Sequence, residues 1–136
     1  MRLREPLSGI AVLVVEDDPL SREGLSLVLA HYGAEVQTAG NVADALAQLD
    51  TYLPTVLISD IGLPGEDGFH LIERIRAGAS ASPKRLPAIA LSGFSDPGLA
   101  SLARSVGFDA FLTKPVDIPV LVSVIEGLVG DQRTGL

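Results

Sequence analysis

The sequence predicts an α/β fold in which a parallel sheet is covered by helices on both faces. Three observations carry that expectation. Apolar runs of strand length alternate five times with segments whose apolar residues recur at helical spacing. The runs at 10–15 and 56–58 are unbroken rather than alternating, as expected of strands buried on both faces. The composition is 47% hydrophobic but only 4% aromatic, which suits an aliphatic core between a sheet and its helices.

Taken in order, residues 1–9 are polar, contain Pro6 and Gly9, and read as a leader or the stump of a linker. The first strand, 10–15, ends in Glu16-Asp17-Asp18-Pro19. Proline is favoured at the first helical position, so a helix follows, with Leu25, Val28, Leu29 and Tyr32 inward and Gly33 as its stop. A short second strand spans 35–38. Asn41 caps the next helix, whose inner face is Val42, Ala45, Leu46 and Leu49. The third strand ends at Asp60, and Gly62, Pro64, Gly65 and Gly68 then mark a loop. Leu71, Ile72 and Ile75 face inward on a helix ending near Gly78, followed by a small, polar connection over 79–85. The fourth strand, 88–91, ends in Ser92-Gly93. Asp96 caps a helix with Pro97 first and Leu99, Leu102, Ala103 and Val106 as its buried stripe. The fifth strand, 110–113, ends in Lys114-Pro115. The last helix carries Ile118, Leu121, Val122, Ile125, Leu128 and Val129, and 130–136 read as a tail. One domain over 10–129 is expected.

Parallel strands joined by helices need right-handed crossovers. The short second strand suits an edge and the long first and third strands suit the centre. The expected architecture is therefore a flavodoxin-like (βα)5 three-layer sandwich with strand order 2-1-3-4-5 and its switch point between strands one and three. That order gathers Glu16, Asp17 and Asp60 at one sheet edge, flanked by Ser92 and Lys114.

Composition narrows the function. The formal net charge of −7 argues against non-specific nucleic-acid binding, which needs clustered Lys and Arg. With no cysteine, disulfide frameworks and zinc–thiolate sites are excluded. No apolar run approaches the roughly 20 residues that span a bilayer. The chain reads as a cytoplasmic protein without membrane insertion.

Gathered carboxylates repel, so either some protonate or a cation neutralises them. Oxygen donors without His or Cys favour a hard ion, magnesium before calcium. Mg²⁺ held by one or two carboxylates keeps positions for phosphate oxygens, and Asp60 as nucleophile would form an aspartyl phosphate. Lys114 would stabilise the phosphoryl oxygens and Ser92 would hydrogen-bond one of them. Plainer readings stand beside each of these. Asp60 fits equally a turn aspartate bonded to its own loop. Asp18 reads as an acidic helix start and Phe111 as core; Val120 and Val124, off the buried stripe of the last helix, offer extra apolar surface for a partner or, equally, stand as isolated exposed valines. His31 and His70 read as ordinary helix residues, Glu66 and Asp67 as solvated loop charges.

Val14-Val15-Glu16-Asp17-Asp18, Asp60, Ser92, Phe111 and Lys114-Pro115 together resemble a response-regulator receiver domain of two-component signalling. The resemblance runs from about residue 10 to 129. It implies Asp60 as phosphoacceptor, with Mg²⁺ held by Asp17, Asp60, the Gly62 carbonyl and, through water, Glu16. It further implies Ser92 and Phe111 as switch residues and Lys114 as the site lysine before a cis peptide. The donor would be a sensor histidine kinase or a histidine phosphotransfer protein, and the output surface the face of helix four, strand five and helix five, with homodimerisation through it. The lead-in 7–15 and the loop 60–68 are similar to those of receivers fused to hybrid sensor kinases. Gly62, and Phe94 two residues past Ser92, are atypical and imply altered autodephosphorylation.

Two rival classes fit less well. A flavin carrier needs a phosphate-binding loop after strand one, where Glu16-Asp17-Asp18 would repel phosphate. A haloacid-dehalogenase-like phosphatase needs a second aspartate where Gly62 stands.

Overall fold

In the computed structural model the described residues are 5–62, 67–78, 85–93 and 97–134. Five strands, β1 (Ala11–Val15), β2 (Glu35–Ala39), β3 (Val56–Asp60), β4 (Ala88–Ser92) and β5 (Ala110–Thr113), alternate with five helices. The helices are α1 (Pro19–His31), α2 (Val42–Leu49), α3 (Gly68–Gly78), α4 (Pro97–Val106) and α5 (Ile118–Thr134). All pairings are parallel and the strand order is β2-β1-β3-β4-β5, as the sequence predicts.

The unbroken apolar runs are explained by two cores. Val12, Val14, Val56, Ile58, Ile89 and Leu91 pack with Leu29, Leu121 and Ile125 of α1 and α5. The intervening Leu13, Val15, Leu57, Ala88 and Ala90 pack on the other face with Val42, Ala45, Leu71, Ile72 and Ala103 of α2, α3 and α4. Side chains of a strand point alternately to opposite faces, so a strand buried on both sides must be apolar throughout. Registers Val15↔Ala39, Val15↔Ser59, Asp60↔Leu91 and Ser92↔Thr113 bring the strand ends level at one edge.

The packed unit begins earlier than expected. Residues 5–9, read as leader, form a turn that inserts Leu7 fully into the first core, and its amide donates to the Tyr32 carbonyl at 2.9 Å. Gly33 permits this. It sits at φ +103, where a Cβ would lie 2.8 Å from Glu5 Cβ and 3.0 Å from the Ser8 nitrogen. The helix α5 also runs on to Thr134, past the Val129 end expected, because an isolated Gly130 weakens a helix without stopping it. Two stripe assignments change. Leu102 is 48% exposed rather than buried, and Val124 is packed against the first core, leaving Val120 at 46% as the exposed valine of α5. The expected Asp96 cap and most of the connection at 79–85 lie outside the described residues.

At the opposite, amino edge of the sheet, Arg76 ties three segments. It donates to the Gly107 carbonyl at 2.8 and 3.1 Å, to the Leu86 carbonyl at 2.6 Å and to Asp109 at 3.2 Å. Asp109 also accepts from the Ala88 amide at 2.8 Å and from Arg85. Among the described residues no helix is long and apolar enough to cross a membrane.

Candidate functional site

The level strand ends place Glu16 after β1, Asp60 as the last residue of β3, Ser92 as the last of β4 and Lys114 after β5. The Lys114 ammonium donates to Glu16 Oε1 at 2.6 Å and to Asp60 Oδ2 at 2.7 Å, joining residues 98 and 54 positions apart. Glu16 Oε2 accepts the Asp18 amide at 3.2 Å, and Asp60 Oδ1 accepts the Gly62 amide at 2.8 Å. One Asp60 oxygen thus closes its own loop, as the plainer reading expects, while the other faces Lys114. Asp17 is exposed, and Glu16, Asp17 and Asp60 each offer an oxygen within 4.8 Å of the others.

Ser92 is buried, and its carbonyl accepts the Lys114 amide at 2.7 Å. A cleft of about 430 Å³ opens beside it, lined among others by Asp60, Gly62, Phe69, Leu99 and Lys114. Phe111 is half-buried and packs against the second core. The Lys114–Pro115 peptide is cis. Asp18 does cap α1: its Oδ2 accepts the Ser21 amide at 2.9 Å and hydroxyl at 2.7 Å, and these bonds hold its carboxyl below the ordinary value. Asp67 is not merely a solvated loop charge. Its Oδ1 accepts the His70 amide at 3.1 Å at the start of α3. Phe94 and Glu66 lie outside the described residues. His31 stacks edge-on with Tyr32 at 5.8 Å, away from the acids.

The electrostatics are unbalanced by design of the chain: three carboxylates face one ammonium. Burial pushes the Glu16 carboxyl up, the charge of Asp60 adds to this, and the Lys114 and Asp18 hydrogen bonds offset it only in part. Burial alone would lower Lys114, but its bonds to Asp60 and Glu16 outweigh that and raise it. Such a cluster suits a small hard cation. Glu16, Asp17 and Asp60, whose offered oxygens lie within 4.8 Å of one another, are the residues that would hold it. Asp17→Asn is accordingly expected to weaken divalent-cation binding about tenfold or more, which calorimetric Mg²⁺ titration checks.

Comparison with known proteins agrees with this geometry. The response regulator receiver domain family matches residues 12–126. The chain belongs to that family. This receiver is 38% identical over 122 residues to an uncharacterized 14.6 kDa protein of Leptolyngbya boryana, covering 90% of this chain and 92% of that one. It is 32% identical to the response regulator Rre1 of Synechocystis, covering 96% of this chain but 55% of Rre1, so it spans about half the length of that relative. A putative response regulator from Chloroflexus aurantiacus superposes with a TM-score of 0.80 at 33% identity, covering 89% of this chain and 98% of the other.

Three residues of this receiver escaped the sequence reading. Arg22 donates from Nη1 to the Glu16 carbonyl at 3.0 Å and the Asp17 carbonyl at 3.4 Å. Gly40 lies against it: a Cβ there would stand 3.0 Å from Nη1. Gly68, read only as a loop breaker, packs α3 directly on β3, where a Cβ would meet the Asp60 carbonyl oxygen at 2.6 Å and Ile61 Cα at 2.7 Å. A basic residue in the first turns of α1, against the helix dipole, is the signal that could have drawn attention to Arg22.

Proposed function

We propose that the chain is a phosphorylation switch in which Asp60 takes a phosphoryl group from a phosphohistidine of a sensor histidine kinase or histidine phosphotransfer protein. The observation that carries the reading is the Lys114 ammonium held between Glu16 and Asp60, with Asp17 within reach. Asp17, Asp60, the Gly62 carbonyl and, through water, Glu16 would hold Mg²⁺, which when bound supplies positive charge opposite the phosphoryl oxygens. One Asp60 oxygen attacks phosphorus as the N–P bond breaks, and the bonding pair stays on the donor imidazole nitrogen, which takes up a proton. Lys114 then turns from the carboxylate to the phosphoryl oxygens, and the Ser92 hydroxyl donates to another. Those new bonds draw the end of β4 inward, and Phe111 responds by packing toward the space vacated, a local charge event biasing a two-state element.

In this reading the protein promotes only its own phosphorylation and dephosphorylation and works in the cytoplasm without binding nucleic acid through this domain. The output surface is the α4–β5–α5 face, where exposed Leu102 and Val120 give apolar area for a homodimer or another partner. The likeness of 7–15 and 60–68 to hybrid-kinase receivers makes a kinase-fused setting part of the same proposal, as does altered autodephosphorylation from Gly62 and Phe94. The test is incubation with acetyl phosphate, with and without Mg²⁺, read by intact mass. The chain is expected to gain one phosphoryl group only with Mg²⁺, and Asp60→Asn none. Equal labelling of Asp60→Asn would refute the assignment.

A further inference from the structure

We propose that Arg22, seated against Gly40, is a positioning residue that clamps the cation-binding loop after β1; this rests on the phosphoacceptor reading above. The loop must turn Glu16 toward Lys114 and leave Asp17 facing the same space. Its main chain is held from two sides. The Glu16 amide donates to the Ala39 carbonyl at 3.0 Å, fixing the loop to the end of β2. From the other side one guanidinium nitrogen reaches the carbonyls of both Glu16 and Asp17, at 3.0 and 3.4 Å. A peptide plane fixed at its oxygen can no longer rotate, and that rotation is what would swing the Asp17 carboxylate away from Asp60.

The placement of Arg22 needs such a purpose. Asp18 is the N-cap of α1, so Arg22 lies at the fourth helical position, near the positive end of the helix, where a cation is disfavoured. What favours it there is the pair of carbonyl oxygens together with the adjoining acids. Gly40 makes the seat. No side chain fills the space that Nη1 and, at 3.8 Å, Cζ occupy beside it, and the Gly40 backbone does not require glycine for its own conformation. The absence of a side chain at 40 is thus explained by the guanidinium rather than by a turn.

The positive charge of Arg22 by itself repels a metal ion, so charge and geometry predict opposite effects and can be separated. Arg22→Lys and Gly40→Val both keep the charge. The first shortens the side chain by one atom, so its ammonium stops short of the place Nη1 takes between the two carbonyls, and the second fills the seat and displaces the guanidinium. Each is expected to weaken Mg²⁺ binding, measured by calorimetry, about tenfold, the lower end of what loss of an outer-shell partner costs. The Mg²⁺ concentration giving half-maximal labelling by acetyl phosphate should rise in parallel, while the rate at saturating Mg²⁺ stays within about twofold. Gly40→Ala, which demands a shift of only tenths of an ångström, should fall between wild type and Gly40→Val and guards against a folding defect in the larger substitution. Mg²⁺ affinities of Arg22→Lys and Gly40→Val both within twofold of wild type would overturn the clamp while leaving the phosphoacceptor reading intact. A wild-type chain that binds no Mg²⁺ and accepts no phosphoryl group would overturn both.

Discussion

Lys114→Met is expected to slow phosphorylation of Asp60 by at least about a hundredfold, the usual consequence of removing one preorganised charge donor from a developing oxyanion. The same change leaves two carboxylates, 4% and 12% exposed, without their shared cation. Loss of charge-assisted hydrogen bonds to buried groups costs about 1–3 kcal/mol at neutral pH. The pH dependence has a definite sign. Lys114 is raised above its ordinary 10.5, so the stability it supplies is complete below that value and is lost as pH climbs through the raised one. Glu16 is raised above 4.5, so the fold favours its protonated form and stability falls as pH rises from 4.5 through its raised value. Without Lys114 the Glu16 shift grows, and the decline on the acid side steepens. Urea unfolding across pH, alongside acetyl phosphate labelling, measures both effects. A variant that labels at the wild-type rate would remove Lys114 from the mechanism.

Gly68→Ala is the second large effect, and it acts through backbone rather than charge. A methyl group 2.6 Å from the Asp60 carbonyl oxygen and 2.7 Å from Ile61 Cα cannot be accommodated by a rotamer change, since both obstacles are main chain. Either α3 lifts from β3 or the end of β3 yields. Overpacking of this kind costs about 1–3 kcal/mol, against a helix-propensity gain that is small at a terminal position. The Gly68 amide donates to the Ile61 carbonyl at 3.1 Å, so displacement of α3 is transmitted to the loop that follows Asp60. Thermal unfolding should show the loss, and labelling of Asp60 should slow about tenfold, as expected for a misplacement of well under an ångström. Gly127→Ala, where a Cβ meets nothing within 4 Å, is the internal control and should stabilise α5 by up to about 1 kcal/mol.

These cases divide what could be read from the chain from what could not. Strand order was legible because burial on both faces writes itself as unbroken apolar sequence, while β2, with exposed Glu35 and Gln37, writes itself as an edge. The acids, Ser92 and Lys114 were legible because each stands where an apolar run stops, and the topology makes such stops neighbours. Arg22, Gly40 and Gly68 act through distances between segments, and no local pattern encodes a contact between Gly68 and the carbonyl of Asp60. Leu7 was missed for a related reason: a leucine between Pro6 and Ser8 belongs to no periodic pattern, and only the shelf made by Gly33 turns it into core. Leu102 and Val124 differ from expectation because helical spacing fixes a stripe's direction but not the edge at which packing ends.

The Arg76 knot gives the molecule a mechanical asymmetry. At the amino edge, Gly107, Leu86 and Asp109 are tethered to one guanidinium, so the connection between α4 and β5 is held in place. At the carboxyl edge, mutually repelling charges share a single lysine. The end of α4 far from the charged cluster is thus tied, through Gly107, to α3 and to Leu86, just ahead of β4.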